Sequence, residues 1–204
     1  MLPDSIKRFV DLFAALPAIG PRLATRLAFY LARQSKGFIH ELSRAIAGLA
    51  ETKTCAECFF PYEVFQSIGG KGSLCRICAD SKRSQNVIAV VEKETDLISI
   101  EKSKKFAGRY LVLGDLGRDG VLDTEQKLRL THLKNTTAKR FGQAEEIILA
   151  LNPTTLGNME ASLITQELKP IAKKITRLGR GLPTGGEIEF ADEDTLAGAL
   201  QNRG

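Results

Sequence analysis

The chain contains four cysteines, which form two C-x-x-C pairs, Cys55 with Cys58 and Cys75 with Cys78. Each pair makes a tight turn that aims two sulfurs at one point, and zinc accepts four thiolate ligands in a tetrahedron. The spacing therefore predicts one structural zinc ion per chain. Because four cysteine ligands leave no open position for water, we expect the metal to stabilise the fold and not to catalyse a reaction.

Two disulfides or four buried free thiols are the alternative interpretation of these cysteines. The sequence around Leu2-Pro3-Asp4 does not resemble a secretory signal, and no apolar run approaches the roughly 20 residues of a membrane span. We therefore expect a soluble protein in the cytoplasm, where disulfides do not persist.

The net charge of +5 is distributed unevenly over the 204 residues. Residues 1–54 carry eight lysines and arginines against four acidic residues, residues 55–85 carry four against three, and residues 86–204 carry seventeen of each. This basic excess favours a localised anionic partner, and nucleic acid is the first candidate. A solvated basic surface explains the charge alone equally well.

The first quarter of the chain predicts three helices, and basic side chains follow the turn between the first two. That turn, Leu16-Pro17-Ala18-Ile19-Gly20-Pro21, has the apolar-Pro-x-Ile-Gly pattern of a helix-hairpin-helix. We expect Gly20 to allow a sharp turn, and the next helix to present free N–H groups to a DNA phosphate. Arg22 and Arg26 lie one helical turn apart and can face the same phosphates. A plain helical hairpin is the alternative.

From about Val87 the pattern changes to alternating strands and helices, which predicts a parallel α/β sheet. The predicted strands cover residues 87–92, 110–113, 147–151 and 174–178, and the longer predicted helices cover 123–141 and 158–168. A short strand at 187–190 and a helix near 192–200 are expected to end the chain.

The order of these parts resembles the RecR family of bacterial recombination mediators. The similarity runs from end to end: L-P-A-I-G-P-R-L-A-T-R-L-A at 16–28, C-R-I-C-A-D at 75–80, G-R-Y-L-V-L-G at 108–114, N-P-T at 152–154 and T-R-L-G-R-G-L-P-T-G-G at 176–186. The resemblance implies an α/β protein with a small all-α amino-terminal part. Its expected segments are a helix-hairpin-helix region at 1–54, a four-cysteine zinc module at 55–80, a Toprim-like parallel domain at 81–178 and a carboxy-terminal assembly segment at 179–204.

The resemblance also implies a function without enzymatic activity. RecR proteins assemble as dimers and ring-like tetramers around duplex DNA, and they act with RecO and RecF to load RecA onto gapped DNA coated with single-strand-binding protein. The implied DNA contacts are Gly20, Arg22 and Arg26, and Glu92 is the implied contact for RecO or RecF. We expect such a protein in the cytoplasm, at the nucleoid and away from membranes.

A Toprim domain that binds magnesium needs hard oxygen ligands at the ends of its strands. Glu92 ends the first predicted strand, but the third runs into Asn152-Pro153-Thr154 and supplies no acid until Glu160. Asp115 and Asp119 could contribute carboxylates from a neighbouring loop. One carboxylate with such helpers is a weak metal site, so we expect no catalytic residues.

The chain departs from the family at this edge. Relatives usually carry a glutamate on each side of the glycine after N-P-T, where this chain has Leu156 and Asn158. Partner contacts that depend on those acids are therefore in doubt, whereas the arginines and cysteines are retained. Two other functions stay open: a magnesium-dependent Toprim nuclease or primase fragment, which a plasmid-nicking assay would reveal, and a zinc-containing protein-docking module that does not bind gapped DNA.

Overall fold

The computed structural model describes residues 2–63, 73–115, 121–179, 181–201 and 203. The chain divides into two compact units, Met1–Thr52 and Lys53–Gly204. None of the described helices is long and apolar enough to cross a membrane. The cysteine module, the sheet and the tail all belong to the second unit, so the division into four segments stays a prediction.

The first unit consists of helices, as the apolar spacing predicts. Its elements are α1 (Asp4–Phe13), α2 (Pro21–Ala32), α3 (Lys36–Gly48) and a 3₁₀ turn (Leu49–Glu51). Pro21 begins α2 because its missing N–H costs nothing at the first helical position. The Ser35 hydroxyl begins α3 by accepting a hydrogen bond from the Phe38 N–H at 3.2 Å.

The second unit begins with the cysteine module, which has very short elements. They are β1 (Lys53–Thr54), β2 (Pro61–Tyr62) and α4 (Arg76–Ala79), and β1 pairs with β2 in antiparallel orientation. The sequence did not predict them, because elements of two to four residues show no hydrophobic periodicity.

The main sheet has four parallel strands in the order β4-β3-β5-β6. Its elements are β3 (Val87–Val91), α5 (Glu94–Ser103), β4 (Arg109–Val112), α6 (Thr124–Phe141), β5 (Glu146–Ala150), α7 (Thr155–Leu168), a 3₁₀ turn (Lys169–Ile171) and β6 (Ile175–Arg177). The predicted strands and the α/β class are confirmed. Helix α7 begins three residues before its predicted start, because the Thr154 side chain accepts a hydrogen bond from the Gly157 N–H at 3.0 Å and caps it.

Alternate residues of the strands fill two apolar cores, one on each face of the sheet. On one face Val90 and Leu149 pack with side chains of α6 and α7. On the other, Val91 and Val112 pack with α5 and with the four cysteines. The cysteine module therefore forms part of the second core and is not a separate appendage.

The tail differs from its prediction. Residues Ile188–Phe190 form a 3₁₀ turn and not a strand, and α8 (Glu193–Gln201) follows. The alternation of Glu187 to Phe190 fits a strand, but the Phe190 N–H bonds locally to the Glu187 carbonyl, and no strand pairing involves the described tail residues. Ile188 and Phe190 are 68% and 79% exposed. The predicted strand is therefore wrong.

Candidate functional site

The four cysteines meet at one buried point. Their sulfurs all lie within 4.8 Å of one another, and each residue is at most 8% exposed. The sulfurs of Cys58 and Cys75 lie 3.5 Å apart, and the Cys75 N–H donates to the Cys55 sulfur at 3.3 Å. This arrangement matches the four-sulfur tetrahedron that a structural metal site requires.

Two local turns produce this geometry. In the first turn, the Phe59 N–H bonds to the Cys55 carbonyl at 3.0 Å, and Phe59 adopts a left-handed backbone with φ of 63°. In the second pair, Cys75 immediately precedes α4 and Cys78 lies on it, and the Ala79 N–H bonds to the Cys75 carbonyl at 2.9 Å. Each turn therefore aims its two sulfurs inward.

The donor set suits a thiophilic metal ion. Hydrogen bonds from Cys58, Cys75 and Cys78 lower the pKa of the Cys55 thiol and favour its thiolate, the form that binds metal. Among the described residues, these four are the only group of three or more Cys, His, Asp or Glu ligands close enough to share an ion. All four could hold a metal, which would stabilise the module when bound.

The predicted DNA-contacting arginines lie on the exposed surface of α2. Arg22 and Arg26 are both exposed, and neither forms an ion pair with any described residue. No side chain caps the start of α2, so its first N–H groups remain available to an anion. The hairpin therefore presents two free cations and a free helix amino terminus on one unit.

The turn of the hairpin is made differently from the prediction. Gly20 has an ordinary extended backbone (φ −82°, ψ 166°), whereas Ala18 adopts the left-handed conformation with φ of 61°. The prediction that Gly20 allows the sharp turn is therefore wrong. A Cβ atom at Gly20 would meet nothing within 4 Å, so this unit leaves open space beside the start of α2.

The carboxyl edge of the sheet contains Glu92 in a buried position. Glu92 is 6% exposed and accepts a hydrogen bond from the Asn152 side-chain amide at 2.6 Å. The Lys93 ammonium lies 3.5 Å from Glu92 and 3.3 Å from Asp115, whose side chain is 81% exposed. An amide and an ammonium therefore satisfy this carboxylate, where a metal-binding Toprim edge has further acids. Asp119 lies outside the described residues.

The sequence identifies Glu160 only as the first acid after the third strand, but the environment of its side chain is unusual. It is 0% exposed, and neither carboxylate oxygen has a hydrogen-bond partner among the described residues. Burial raises the pKa of this carboxyl group, and the charges of Glu92 and Asp123 raise it further. No sequence pattern reveals this, because a glutamate in a helix is ordinarily exposed.

Comparison with known proteins covers nearly the whole chain. Residues 6–49 match the family model described as "RecR, helix-hairpin-helix", residues 86–179 match "Toprim domain", and residues 181–203 match "RecR, C-terminal". The recombination protein RecR of Anaeromyxobacter sp. strain Fw109-5 is 40% identical over 203 residues, which cover 98% of this chain and 96% of that protein.

The chain belongs to the RecR family. The RecR proteins of Myxococcus xanthus and Thermobifida fusca are 38% and 35% identical, and each alignment covers 100% of this chain and 98% of the relative. The resemblance found in the sequence is therefore confirmed, together with the helix-hairpin-helix, the Toprim domain and the four-cysteine cluster. The individual RecR site residues, by contrast, stay predictions.

Proposed function

We propose that this RecR family member is a recombination mediator that holds gapped DNA through its helix-hairpin-helix and, with RecO and RecF, promotes loading of RecA onto DNA coated with single-strand-binding protein. The observation that carries the proposal is the similarity to recombination proteins over the full length of the chain. The exposed hairpin arginines supply the physical means of binding DNA. Contacts of this kind go to the phosphate backbone and do not read sequence.

The experiment is a binding titration on a fluorescently labelled gapped duplex, followed by anisotropy at several salt concentrations. It compares the wild type with Arg22→Glu/Arg26→Glu, each with and without the cognate RecO. The wild type is expected to form a salt-sensitive complex that the double variant loses. Each lost contact to duplex phosphate should lower the slope of log K against log salt by about 0.9.

Arg33→Glu/Arg44→Glu is the matched control, since it changes the same charge on the same unit. Both control arginines are exposed and lie outside the hairpin turn, at the end of α2 and on α3. The control should retain more of the binding and of the salt slope than the hairpin variant. Equal losses of DNA affinity in the two variants would show that binding depends on net charge and not on the hairpin. Unchanged binding in both would favour the alternative of a protein-docking module.

The metal in the cysteine cluster is proposed to be zinc, with one ion per chain. Four thiolates fit zinc because it has no geometric preference other than the one its ligands impose. Support comes from the four converging sulfurs. Elemental analysis of the purified protein should find about one zinc per chain. Protein that contains iron instead of zinc, or no metal, would contradict this assignment.

Assembly into a dimer or tetramer is also part of the proposal. The three helices of the first unit leave an apolar groove of about 460 Å³, lined by side chains that include Phe9, Phe13, Leu31, Ile39 and Ile46. A groove lined by apolar side chains can receive apolar side chains of a partner, and a second copy of the chain is the proposed occupant. A ring built in this way could act as a clamp on DNA.

We also propose that the Toprim edge docks RecO or RecF and does not catalyse a reaction. Because Glu92 is buried against Asn152, its part in docking would be to position Lys93 and, through it, the exposed Asp115. The amide of Asn152 stands where catalysis would need a further carboxylate. Magnesium-dependent nicking of plasmid DNA would contradict the non-enzymatic assignment.

A further inference from the structure

One carboxylate connects the cysteine module to two arginines of the α/β sheet and its helices. Glu57 lies between Cys55 and Cys58 in the sequence, and its Oε2 accepts from the Arg109 guanidinium at 2.9 Å. The Arg140 guanidinium contacts the same carboxylate at 2.6 and 3.2 Å. Arg109 is the first residue of β4 and Arg140 lies on α6, so the metal-binding turn is fixed from two sides.

Arg109 is much more buried than Arg140. Its side chain is 9% exposed, against 41% for Arg140. Burial alone would lower the pKa of Arg109, but the adjoining sulfur of Cys78 and the Glu57 carboxylate outweigh it and raise that pKa. A buried guanidinium is stable only beside such partners, because an unpaired buried charge is strongly destabilising.

The backbone of the same turn completes this attachment. The Cys58 carbonyl accepts a hydrogen bond from the Val112 N–H at 2.9 Å, so the turn covers the free edge of β4. Phe59 lies beside Arg129 and His132 of α6, with the Arg129 guanidinium 5.1 Å from its ring centre and the His132 ring 5.4 Å away. The first C-x-x-C turn is therefore held by the sheet and by α6 together.

The metal centre and Glu57 together would carry more negative charge than the cations that contact them. Four thiolates around a divalent ion carry a formal charge of roughly −2, and the Glu57 carboxylate adds another negative charge. Arg109 is the buried cation that contacts this carboxylate. Outer-shell groups of this kind orient metal ligands and influence metal affinity.

We propose that Arg109 is a positioning residue of the metal centre, whose buried guanidinium fixes the Cys55–Cys58 turn through Glu57. Metal retention then depends on the edge strand of the α/β domain as well as on the four ligands. This inference rests on the proposal that the cysteines hold zinc.

The test measures zinc affinity by competition with a chromogenic chelator on the full chain. Arg109→Gln removes the buried cation that pairs with Glu57, and the outer-shell role predicts about a 10- to 100-fold weaker affinity. Arg140→Gln is the matched control, since it removes the more exposed ion pair to Glu57, which solvent screens, and it should cause a clearly smaller loss. Cobalt substitution adds a spectroscopic readout: the sulfur-to-cobalt charge-transfer band should shift in Arg109→Gln and stay in place in Arg140→Gln.

Unchanged affinity in Arg109→Gln, or an equal loss and equal spectrum in both variants, would overturn the proposal. Circular dichroism in saturating zinc verifies that each variant is folded. If Arg109→Gln does not fold, Arg109→Lys replaces it, because an ammonium lacks the planar fork with which a guanidinium holds a carboxylate. A reduced affinity then supports the proposal and a wild-type affinity overturns it. Metal analysis of the wild type, done first, shows separately whether the zinc assignment fails.

Discussion

The two units differ in how they use their apolar side chains. In the first unit the described helices fully bury only Ala24 and Ala28, and large apolar side chains such as Ile46 remain about half exposed, at 49%. In the second unit, Leu149 and Ile164 are at most 1% exposed within a continuous core. Small units bury a smaller share of their surface. The first unit therefore has most to gain from a partner, and the second is stable through its own core.

Their arginines show the same contrast. In the second unit, Arg83, Arg109, Arg129 and Arg140 each contact a carboxylate. In the described part of the first unit no arginine forms an ion pair. Paired arginines contribute to the fold, whereas unpaired ones are available to an external anion. The contrast supports the proposal that the hairpin arginines of the first unit contact DNA, whereas the four paired arginines of the second stabilise its fold.

Loss of the metal should have the largest effect on stability, and it should affect the second unit but not the first. Cys55→Ser is expected to destabilise the second unit by several kcal/mol, because structural zinc contributes about 10–16 kcal/mol of binding free energy in small zinc-finger peptides. Hydrogen exchange measured by mass spectrometry should increase in the cysteine module and β4, while α1 to α3 remain protected as in the wild type. Similar deprotection of all three helices would show that the units are not independent.

A matched pair of isoleucine truncations tests the difference in burial. Ile164→Ala should cost about 2–5 kcal/mol of unfolding free energy, as expected for a fully buried side chain. Ile46→Ala should cost less than about 1 kcal/mol in the free chain, because its side chain is half exposed. Urea unfolding at low protein concentration measures both. If Ile46→Ala is equally costly, and more so at high concentration, the groove of the first unit is filled by a second copy.

The smallest expected effect concerns the buried carboxyl of Glu160. Because burial raises its pKa in the folded state, ionisation costs nothing below the unfolded pKa and destabilises the fold as pH rises through the folded pKa. Glu160→Gln should therefore unfold like the wild type near pH 4 and be more stable at pH 7, by about 1.4 kcal/mol per unit of pKa shift. Thermal unfolding at a series of pH values measures the difference.

Glu167→Gln provides the control on the same helix. Glu167 is exposed and contacts the Lys134 ammonium at 2.6 Å, which lowers its pKa. Glu167→Gln should have the opposite effect on stability. We expect a small loss of stability at neutral pH, which disappears as pH falls through the pKa of Glu167 in the folded state. If the stability difference between Glu160→Gln and the wild type does not change with pH, burial does not raise the pKa of Glu160.

The sequence predicted the elements that local pattern controls. Apolar runs identified the parallel strands to within a residue or two, and helical spacing identified the hairpin that contains Arg22 and Arg26. The tail was mistaken because the alternation at 187–190 is compatible with both a strand and a 3₁₀ turn, and only a pairing partner distinguishes them. The prediction for Gly20 was wrong because the sequence does not show which residue of a turn has positive φ, and here that residue is Ala18.

By itself, the sequence predicted the four candidate metal ligands, because each C-x-x-C spacing brings its own two sulfurs together, and it identified the family. Only the tertiary structure decided what surrounds them. It pairs Arg109 with Glu57, and it buries Glu160 where the charge of Glu92 raises its pKa, although these residues lie far apart in the chain. The physical reason is that ligand spacing is a local property of the backbone, whereas burial and charge pairing depend on which distant elements the parallel sheet brings together.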